Sequence, residues 1–468
     1  MGYGDIKVTN KIHFIAIGGI GMSGLAKFMI EKGWEVSGSD LCDSKYAHQL
    51  TDMGAKVYIG HDAKNVPEGA VVVASTAISP DNPELLRAKQ LGLRIYHRSD
   101  LLAKIANDTP CFIGFSGTHG KTTSSGLCSY VLEKSGFNPS FVVGGIVPEL
   151  HTNAQAKNGL HFVAELDESD GTIVKYLPKI AVINNIEADH VDFYKNGITD
   201  VIKTFKIFAT KLPEDSKILL NVDDEGVCAL KEQIIGGDVY TYSIGGDADF
   251  VASNVNFFVD YTTFDVYYKN SFVSEFKIIL KGIHNVYNAL GVIGALYLSG
   301  VDVASIRAPF ETFTGMGRRF EKVGSLTHFV KADIYDDYAH HPTEIRATLL
   351  AACSFHSRRV VAVFQPHRYT RLQSLWKDFE KALSIGAGLV VVTDVFAASE
   401  TPIQGITGAN FANAIGAKHI AGDMKTVARK LMSILRNGDI VVGMGAGTIT
   451  ELGKELLALD GENIKFGN

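Results

Sequence analysis

The chain has 468 residues, 46% of them apolar and 21% charged, with a formal net charge of −6. That length exceeds one ordinary core and suits about two to four domains, and the composition excludes a largely disordered chain. The mildly acidic balance argues against a nucleic-acid surface, and apolar runs such as Val71–Ala74 and Leu389–Thr393 are of strand length, not membrane-spanning length.

Five cysteines (42, 111, 128, 228 and 353) are scattered with no C-x-x-C pair, which predicts a reducing compartment and no zinc site. His13–Ile17 runs straight into glycines with no cleavage-site pattern, so the expectation is a cytoplasmic enzyme.

The first segment, 1–108, reads as strand Lys11–Ile17, a turn Gly18–Gly24, a helix to about Lys32, then strands Trp34–Gly38, Val57–Ile59 and Ala70–Ser75. Alternating strands and helices predict a parallel, doubly wound sheet. Gly19, Gly21 and Gly24 fit the fingerprint G-x-G-x-x-G, and Asp40 follows Gly19 by 21 residues, where a ribose-binding acid falls.

The second segment, 109–322, opens with the apolar run Cys111–Ile113 and then Gly114-Phe-Ser-Gly-Thr-His-Gly-Lys-Thr-Thr-Ser124. Strand, glycine-rich turn and helix in succession predict a phosphate loop, where backbone N–H groups and a helix N-terminus meet an anion. The generic spacing G-x-x-x-x-G-K-[ST] wants glycine at 115, where Phe115 stands, so this is a variant loop. Lys121 would reach the terminal phosphates and the Thr122 hydroxyl would hold Mg²⁺. The plainer reading is a glycine-rich turn with a surface lysine.

Strands His161–Glu165 and Ile180–Asn184 each end in polar residues. Glu165, Asp167, Glu168 and Asp170 crowd one strand end, a donor set that suits magnesium. Asn184–His190 follows the next. In 239–281 apolar and polar residues alternate, predicting antiparallel strands with a tight turn at Lys269-Asn270. Helices are expected near 284–299 and 302–313, and Gly315-Met-Gly317 breaks the pattern.

The third segment, 323–468, alternates again, with strands Asp333–Asp337, Arg359–Phe364, Leu389–Thr393 and Asp439–Gly443 and a closing helix Ile449–Leu457. Tyr335–Pro342 and Phe364–Arg371 place histidines, tyrosines and arginines after neighbouring strands, a set that suits a small carboxylate or an anionic intermediate.

Taken in order, Ile17–Gly24, Gly117-Thr-His-Gly-Lys-Thr-Thr123, Ala164–Asp170, Asn185–His190, Gly282-Ile-His-Asn-Val-Tyr-Asn288, Gly317–Glu321, Asp336–Glu344 and Gln365–Arg371 resemble the Mur ligases, ATP-dependent amide-bond formers of bacterial cell-wall synthesis. The likeness is specific, covers nearly the whole chain, and accounts for the short loop form. It implies three α/β domains: an N-terminal Rossmann-like domain for a UDP substrate, a central P-loop ATPase with a mostly parallel sheet plus a small antiparallel one, and a C-terminal Rossmann-like amino-acid domain. The activity implied is ligation of L-alanine to the carboxylate of UDP-N-acetylmuramate through an acyl phosphate. ATP and Mg²⁺, or Mn²⁺ in its place, would be needed; no nucleic acid or membrane would take part, and the chain would act as a monomer or homodimer.

Carried over residue by residue, Gly19, Gly21, Gly24, Asp40, His61 and Ser75 would contact the UDP substrate. Gly117, Thr118, His119, Gly120, Lys121, Thr122, Thr123, His284, Asn285, Asn288 and Arg319 would bind ATP. Thr122, Glu165 and His190 would hold metal, and Tyr338, His340, Arg368 and Arg371 the amino acid. Lys121, Glu165, His190, Arg319 and His340 would carry the chemistry. Ala339 stands where the family usually has glycine, so amino-acid preference follows less directly than reaction type. Domain closure about hinges near 109 and 322 is expected, because three ligands must meet. A murein-peptide ligase is the neighbouring alternative, and a nicotinamide oxidoreductase the distant one, suggested by the first glycine turn alone.

Overall fold

The computed structural model describes residues 10–189, 193–258, 260–353, 358–398 and 400–461. The first sheet comprises β1 (Lys11–Ile15), β2 (Glu35–Asp40), β3 (Lys56–Ile59), β4 (Val71–Ala74) and β5 (Ile95–His97). All five are parallel, in the order β3-β2-β1-β4-β5. The order reverses between β1 and β4, opening a crevice beyond the strands' carboxyl ends, where the Gly18–Gly24 turn lies.

The second sheet has ten strands: β6 (Cys111–Ser116), β7 (Ser140–Val147), β8 (Thr152–Gln155), β9 (His161–Glu165), β10 (Ile180–Ile183), β11 (Lys217–Asn221), β12 (Asp238–Ile244), β13 (Phe250–Phe257), β14 (Thr262–Tyr268) and β15 (Ser271–Ile278). Their order is β15-β14-β13-β12-β11-β10-β6-β9-β7-β8. Antiparallel pairing is confined to the margins, β13-β14-β15 and β7-β8. The alternation in 239–281 predicts antiparallel strands throughout. Instead β12 lies parallel to β11, because the helix Glu225–Lys231 carries the chain across between them. The antiparallel strands therefore extend the main sheet. Lys269 and Asn270, at φ 47° and 64°, make the tight turn between β14 and β15.

The third sheet contains β16 (Glu321–Leu326), β17 (Ala332–Asp337), β18 (Val360–Phe364), β19 (Leu389–Thr393), β20 (Lys418–Ile420) and β21 (Asp439–Met444). The order is β16-β17-β21-β18-β19-β20, parallel except for β16. With β21 between β17 and β18, the ends at Asp337, Met444 and Phe364 are brought side by side. The closing helix begins later than the sequence suggests: Thr448–Glu451 is a 3₁₀ turn and the α-helix is Leu452–Gly461.

The molecule is thus a three-domain α/β protein. It divides into two compact units: the first two sheets with the chain to Thr314, apart from 258–260 and 281–284, and the remainder from Gly315 onward. The expected hinge near 109 lies inside the first unit. There the helix Ile20–Glu31 packs on β7 and β8. Phe162 of β9 meets the rings of Phe28 and Phe112 edge-on, each at 5.8 Å. Asn153 Nδ2 donates to the Ile20 carbonyl (2.8 Å), and the Ala156 N–H donates to Glu31 (2.7 Å). In the second unit the edge strand β16 is held by Asp333, which accepts from Lys322 (2.8 Å), Arg358 (2.6 Å) and Ser325 (2.6 Å). Burial would raise this carboxyl, but Lys322, Ser325 and Arg358 hold it well below the usual range.

Two outcomes follow. Phe162→Ala removes the ring that joins two layers and should cost the first unit about 3–5 kcal/mol. The urea transition of Trp34, read in a Trp376→Phe background, should shift accordingly, because Trp34 is then the only tryptophan. For Asp333→Asn, the lost contribution is one present above the unfolded carboxylate value and removed as pH falls through the depressed folded value. The stability gap from the parent chain, followed by urea titration, should therefore be widest near neutrality and close in acid.

Candidate active site

The loop after β6 is shaped by close approaches. β6 continues through Ser116, so Gly114 is a strand residue, pressed against Leu166 with no room for a Cβ. The turn begins at Gly117 (φ 123°), where a Cβ would meet the Asn185 backbone at 2.8 Å. Gly120 is left-handed (φ 83°) and caps the helix Lys121–Lys134, with Asn288 and Asn184 filling the space a side chain would take. Asn185 fastens the turn: its carbonyl accepts from Thr118 N–H (3.1 Å), its Oδ1 from His119 N–H (2.7 Å), and its Nδ2 donates to the His119 carbonyl (3.1 Å). The His119 ring lies 3.5 Å from Glu187. Thr122 and Thr123 are buried in the helix's first turn.

Lys121 curls over this turn. Its Nζ donates to the Gly117 carbonyl (2.5 Å) and the Thr118 carbonyl (3.2 Å) and pairs with Glu168 (3.0 Å). Burial works against the ammonium, but Glu168, Asp167 and Glu165 together raise it above the ordinary lysine range, so it remains a cation. Burial pushes the Glu168 carboxyl up to about 7 against the pull of Lys121, and Asp167 adds to the rise. β9 pairs with β6 in a register that sets Glu165 opposite Phe115. Glu165 Oε2 consequently accepts from the Thr122 hydroxyl (2.8 Å) and the Gly144 N–H (3.1 Å). A hydroxyl and a carboxylate oxygen this close are the hard donors that fit Mg²⁺. His190, the third expected ligand, lies outside the described residues.

Asn285 and Asn288 begin the helix that closes over this loop from the same unit. Asn288 Oδ1 accepts from Ser124 (3.3 Å) and its Nδ2 donates to Asn285 (3.1 Å). The Ser124 hydroxyl also accepts from Asn184 (3.2 Å), whose Oδ1 takes the Tyr242 hydroxyl (3.1 Å). His284 falls in the second unit, where burial and then Arg319 push its imidazole down to about 4.

On the first sheet's crevice, Asp40 Oδ2 accepts the Gly18 N–H (2.9 Å) and Oδ1 the Cys42 N–H (3.1 Å), so the acid expected at a ribose also ties down the glycine turn. The glycines differ in what they do. Gly24 is pressed on Asn153, Gly21 on the Arg98 guanidinium, and Gly18 on Asp40 and Ser44; a Cβ on Gly19 would make only an ordinary contact with the Ala16 carbonyl, at 3.8 Å. His61 bonds Ser39 (2.8 Å), and Ser75 follows β4, its carbonyl accepting Ile78 N–H. Arg98, absent from the motif reading, also pairs with Asp167 at 3.6 Å, joining the glycine turn to the acidic cluster.

In the third domain, Tyr338 lies beneath two guanidinium groups, Arg318 at 5.0 Å and Arg319 at 5.4 Å from the ring centre. Its other neighbour is the His340 ring at 5.1 Å, which in turn meets His367 at 5.9 Å. Glu344 accepts from Arg319 (3.3 Å) and the His340 N–H (3.0 Å). Burial, then His340, Arg371 and Arg368, push His367 down to about 3, so it is neutral near pH 7. Arg371 reaches His367 Nδ1 at 3.3 Å. Burial lifts Asp337 to about 6 against the pull of Arg319, while its oxygens take the Phe320 and Ala339 N–H groups and the Thr348 hydroxyl. Arg318, Phe320 and Arg368 sit at φ 60°, 52° and 70°, backbone strain concentrated where these side chains converge.

Of the residues expected from the sequence, Lys121, Thr122 and Glu165 lie together at this turn. Sequence reasoning misses Gly144, Asn185, Arg98 and Arg318, which contribute through a backbone N–H, a loop clamp or a long reach across elements. No spacing rule in one chain segment signals those contacts.

Residues 11–109, 115–296 and 318–447 match the models described as Mur ligase family, catalytic domain, Mur ligase middle domain, and Mur ligase, glutamate ligase domain. The chain is 39% identical over 460 residues to the UDP-N-acetylmuramate–L-alanine ligase of Geotalea uraniireducens (strain Rf4), covering 97% of this chain and 98% of that protein. It is 39% identical over 456 residues to the ligase of the same name from Dictyoglomus turgidum, covering 96% and 97%. Among solved structures it is similar to the UDP-N-acetylmuramate-alanine ligase MurC of Thermotoga maritima, with a TM-score of 0.81 and 27% identity over 97% of this chain and all of that one. A murein peptide ligase from Psychrobacter arcticus shares the fold, with a TM-score of 0.74 at 21% identity over the same shares. By its three matched domains and full-length relatives, this chain belongs to the Mur ligase family.

Proposed function

We propose that the chain joins L-alanine to the carboxylate of UDP-N-acetylmuramate at the expense of ATP. The observation that carries the phosphoryl-transfer half is the cluster at the Gly117–Thr123 turn. Lys121, kept cationic, and the Thr122–Glu165 pair flank a helix N-terminus. The acceptor and amino acid rest on the name shared by the full-length relatives.

Hydroxide leaves a carboxylate poorly, so amide formation needs activation. The muramoyl carboxylate attacks the γ-phosphorus of ATP, ADP leaves, and an acyl phosphate forms. The alanine amine then adds to the acyl carbon and phosphate leaves. Lys121 and the loop N–H groups stabilise charge on the transferring phosphoryl oxygens. Mg²⁺, held by Thr122 and Glu165, would supply further positive charge to the phosphates. Arg319 serves the same anions, and Asn285, Asn288 and His284 the nucleoside side.

In the amino-acid domain, Arg368 and Arg371 address the alanine carboxylate, and Tyr338 lines the pocket. His340 Nδ1 lies 3.0 Å from the Tyr338 carbonyl, which can only accept, so Nδ1 carries the proton. Its basic nitrogen is then Nε2, placed to take a proton from the alanine ammonium or the tetrahedral adduct. The domains divide near 108 and 322. Among the described residues no helix is long and apolar enough to cross a membrane, and we place the enzyme in the cytoplasm.

Phosphate release should require ATP, Mg²⁺, UDP-N-acetylmuramate and L-alanine together, with a product one alanyl residue heavier. Release with a murein tripeptide in place of alanine would move the chain to the recycling branch. Lys121→Met should lower kcat by roughly a hundredfold to a thousandfold, with an unchanged circular dichroism spectrum; an active variant would refute the loop's assignment.

A further inference from the structure

A buried polar chain beneath the first sheet's crevice is not used by any step above. Glu84, in the first turn of the helix Pro83–Gln90, is fully buried. Its Oε1 accepts from Asn65 Nδ2 (2.8 Å) and the Asp62 N–H (3.3 Å), and its Oε2 takes the Ser39 hydroxyl. The His13 imidazole lies 3.5 Å from the same oxygen. Burial opposes the charge, but His13, Ser39 and Asn65 hold this carboxyl below its ordinary value. Glu84 is therefore a carboxylate that only accepts.

The consequence passes outward. Ser39, itself fully buried, has one hydroxyl proton, and Glu84 receives it. The Ser39 oxygen lies 2.8 Å from His61 Nδ1, so that contact can be a hydrogen bond only if Nδ1 carries a proton. A neutral His61 must then present Nε2 as a lone-pair acceptor. Its side chain is 12% exposed, and no protein partner for Nε2 is found among the described residues.

His61 follows the carboxyl end of β3. Gly60 N–H donates to the Asp40 carbonyl (2.7 Å), and the Asp40 carboxylate holds Gly18. Thus His61 stands on the rim that carries the glycine turn, displaced from it towards β2 and β3. In a doubly wound sheet a nucleotide's phosphates meet the glycine turn and its nucleoside extends along this rim.

We infer that Glu84 and Ser39 are positioning residues that fix His61 as an acceptor for the imide N–H of a uracil base, and so select uridine over cytidine nucleotides. Uracil offers a donor at N3 where cytosine offers a lone pair. Against an acceptor locked in place, the second leaves two lone pairs opposed. The inference rests on the proposed UDP-linked acceptor and deepens it.

The test has two parts. The first uses the whole protein without ligand: ¹⁵N-labelled imidazole spectra near pH 8, above the ordinary imidazole range, should show His61 protonated at Nδ1, with the assignment made by its loss in His61→Gln. An Nε2–H tautomer or an imidazolium would overturn the inference whatever the enzyme's substrate. The second measures UDP and CDP as competitive inhibitors of phosphate release. UDP should bind better by roughly tenfold or more, and Ser39→Ala should bring the two towards parity while leaving the KM for ATP in place. Equal inhibition by UDP and CDP in the parent chain, or an undiminished preference in Ser39→Ala, would refute it. If phosphate release never depends on UDP-N-acetylmuramate, the proposed function fails, and the tautomer measurement still stands on its own.

Discussion

The central site depends on one steric constraint: backbone must pass against backbone where the loop after β6 meets the segment after β10. Gly117 lies where any Cβ would strike Asn185, and Gly120 where one would strike Asn288. That closeness lets the Asn185 side chain and carbonyl bracket Thr118 and His119 with three hydrogen bonds. The turn is thereby fixed, with the helix Lys121–Lys134 starting behind it. The parallel register of β6 with β9 and β10 sets the polar strand ends in place. Shift β9 by one residue and Glu165 would point to the other face of the sheet, away from Thr122.

Charge is arranged on this frame in opposed pairs. A buried cation, Lys121, is surrounded by carboxylates, and the most buried of these, Glu168, is the one whose charge is least favoured. Such an arrangement keeps a lysine charged inside a protein and lets its partner change protonation at modest cost when the lysine's surroundings change. Arg98 repeats the pattern at longer range, pairing with Asp167 while pressed against Gly21. Glycine turn, arginine and acidic cluster form a continuous polar seam within the first compact unit. That seam and the packing of Phe28 on Phe162 explain why the first two sheets count as one body despite having separate topologies.

The third domain reaches a similar end by different means. Three parallel strand ends are brought together by the insertion of β21 between β17 and β18, and positive-φ residues turn Arg318 and Arg368 into place. Asp337, buried and accepting two N–H groups and a hydroxyl, braces the turn that carries Tyr338 and His340. Such strain survives because β17 and β18 are each buried along nearly their whole length, so the surrounding sheet cannot relax to release it.

Much of this was legible in the residues. Alternating strand and helix signals, glycine turns after apolar runs and polar strand ends determine the fold class and the glycine-rich turn that sets Lys121 and Thr122 at the start of a helix, because these are local patterns of period and turn chemistry. The motif order determines the family. Tertiary structure alone decides that β12 joins the parallel set, that β6 runs on through Gly114 and that β16 forms an antiparallel edge. It alone brings Asn185 against the His119 backbone, Gly144 N–H onto Glu165, Arg98 against Gly21 and Arg318 over the Tyr338 ring. It also reveals the Glu84–Ser39–His61 chain, whose members are scattered over 46 residues of sequence. Strand order, register and hydrogen-bond direction arise from contacts between segments far apart in the chain. The free energy of those contacts is a property of the packed arrangement, and no single segment carries a signal of it.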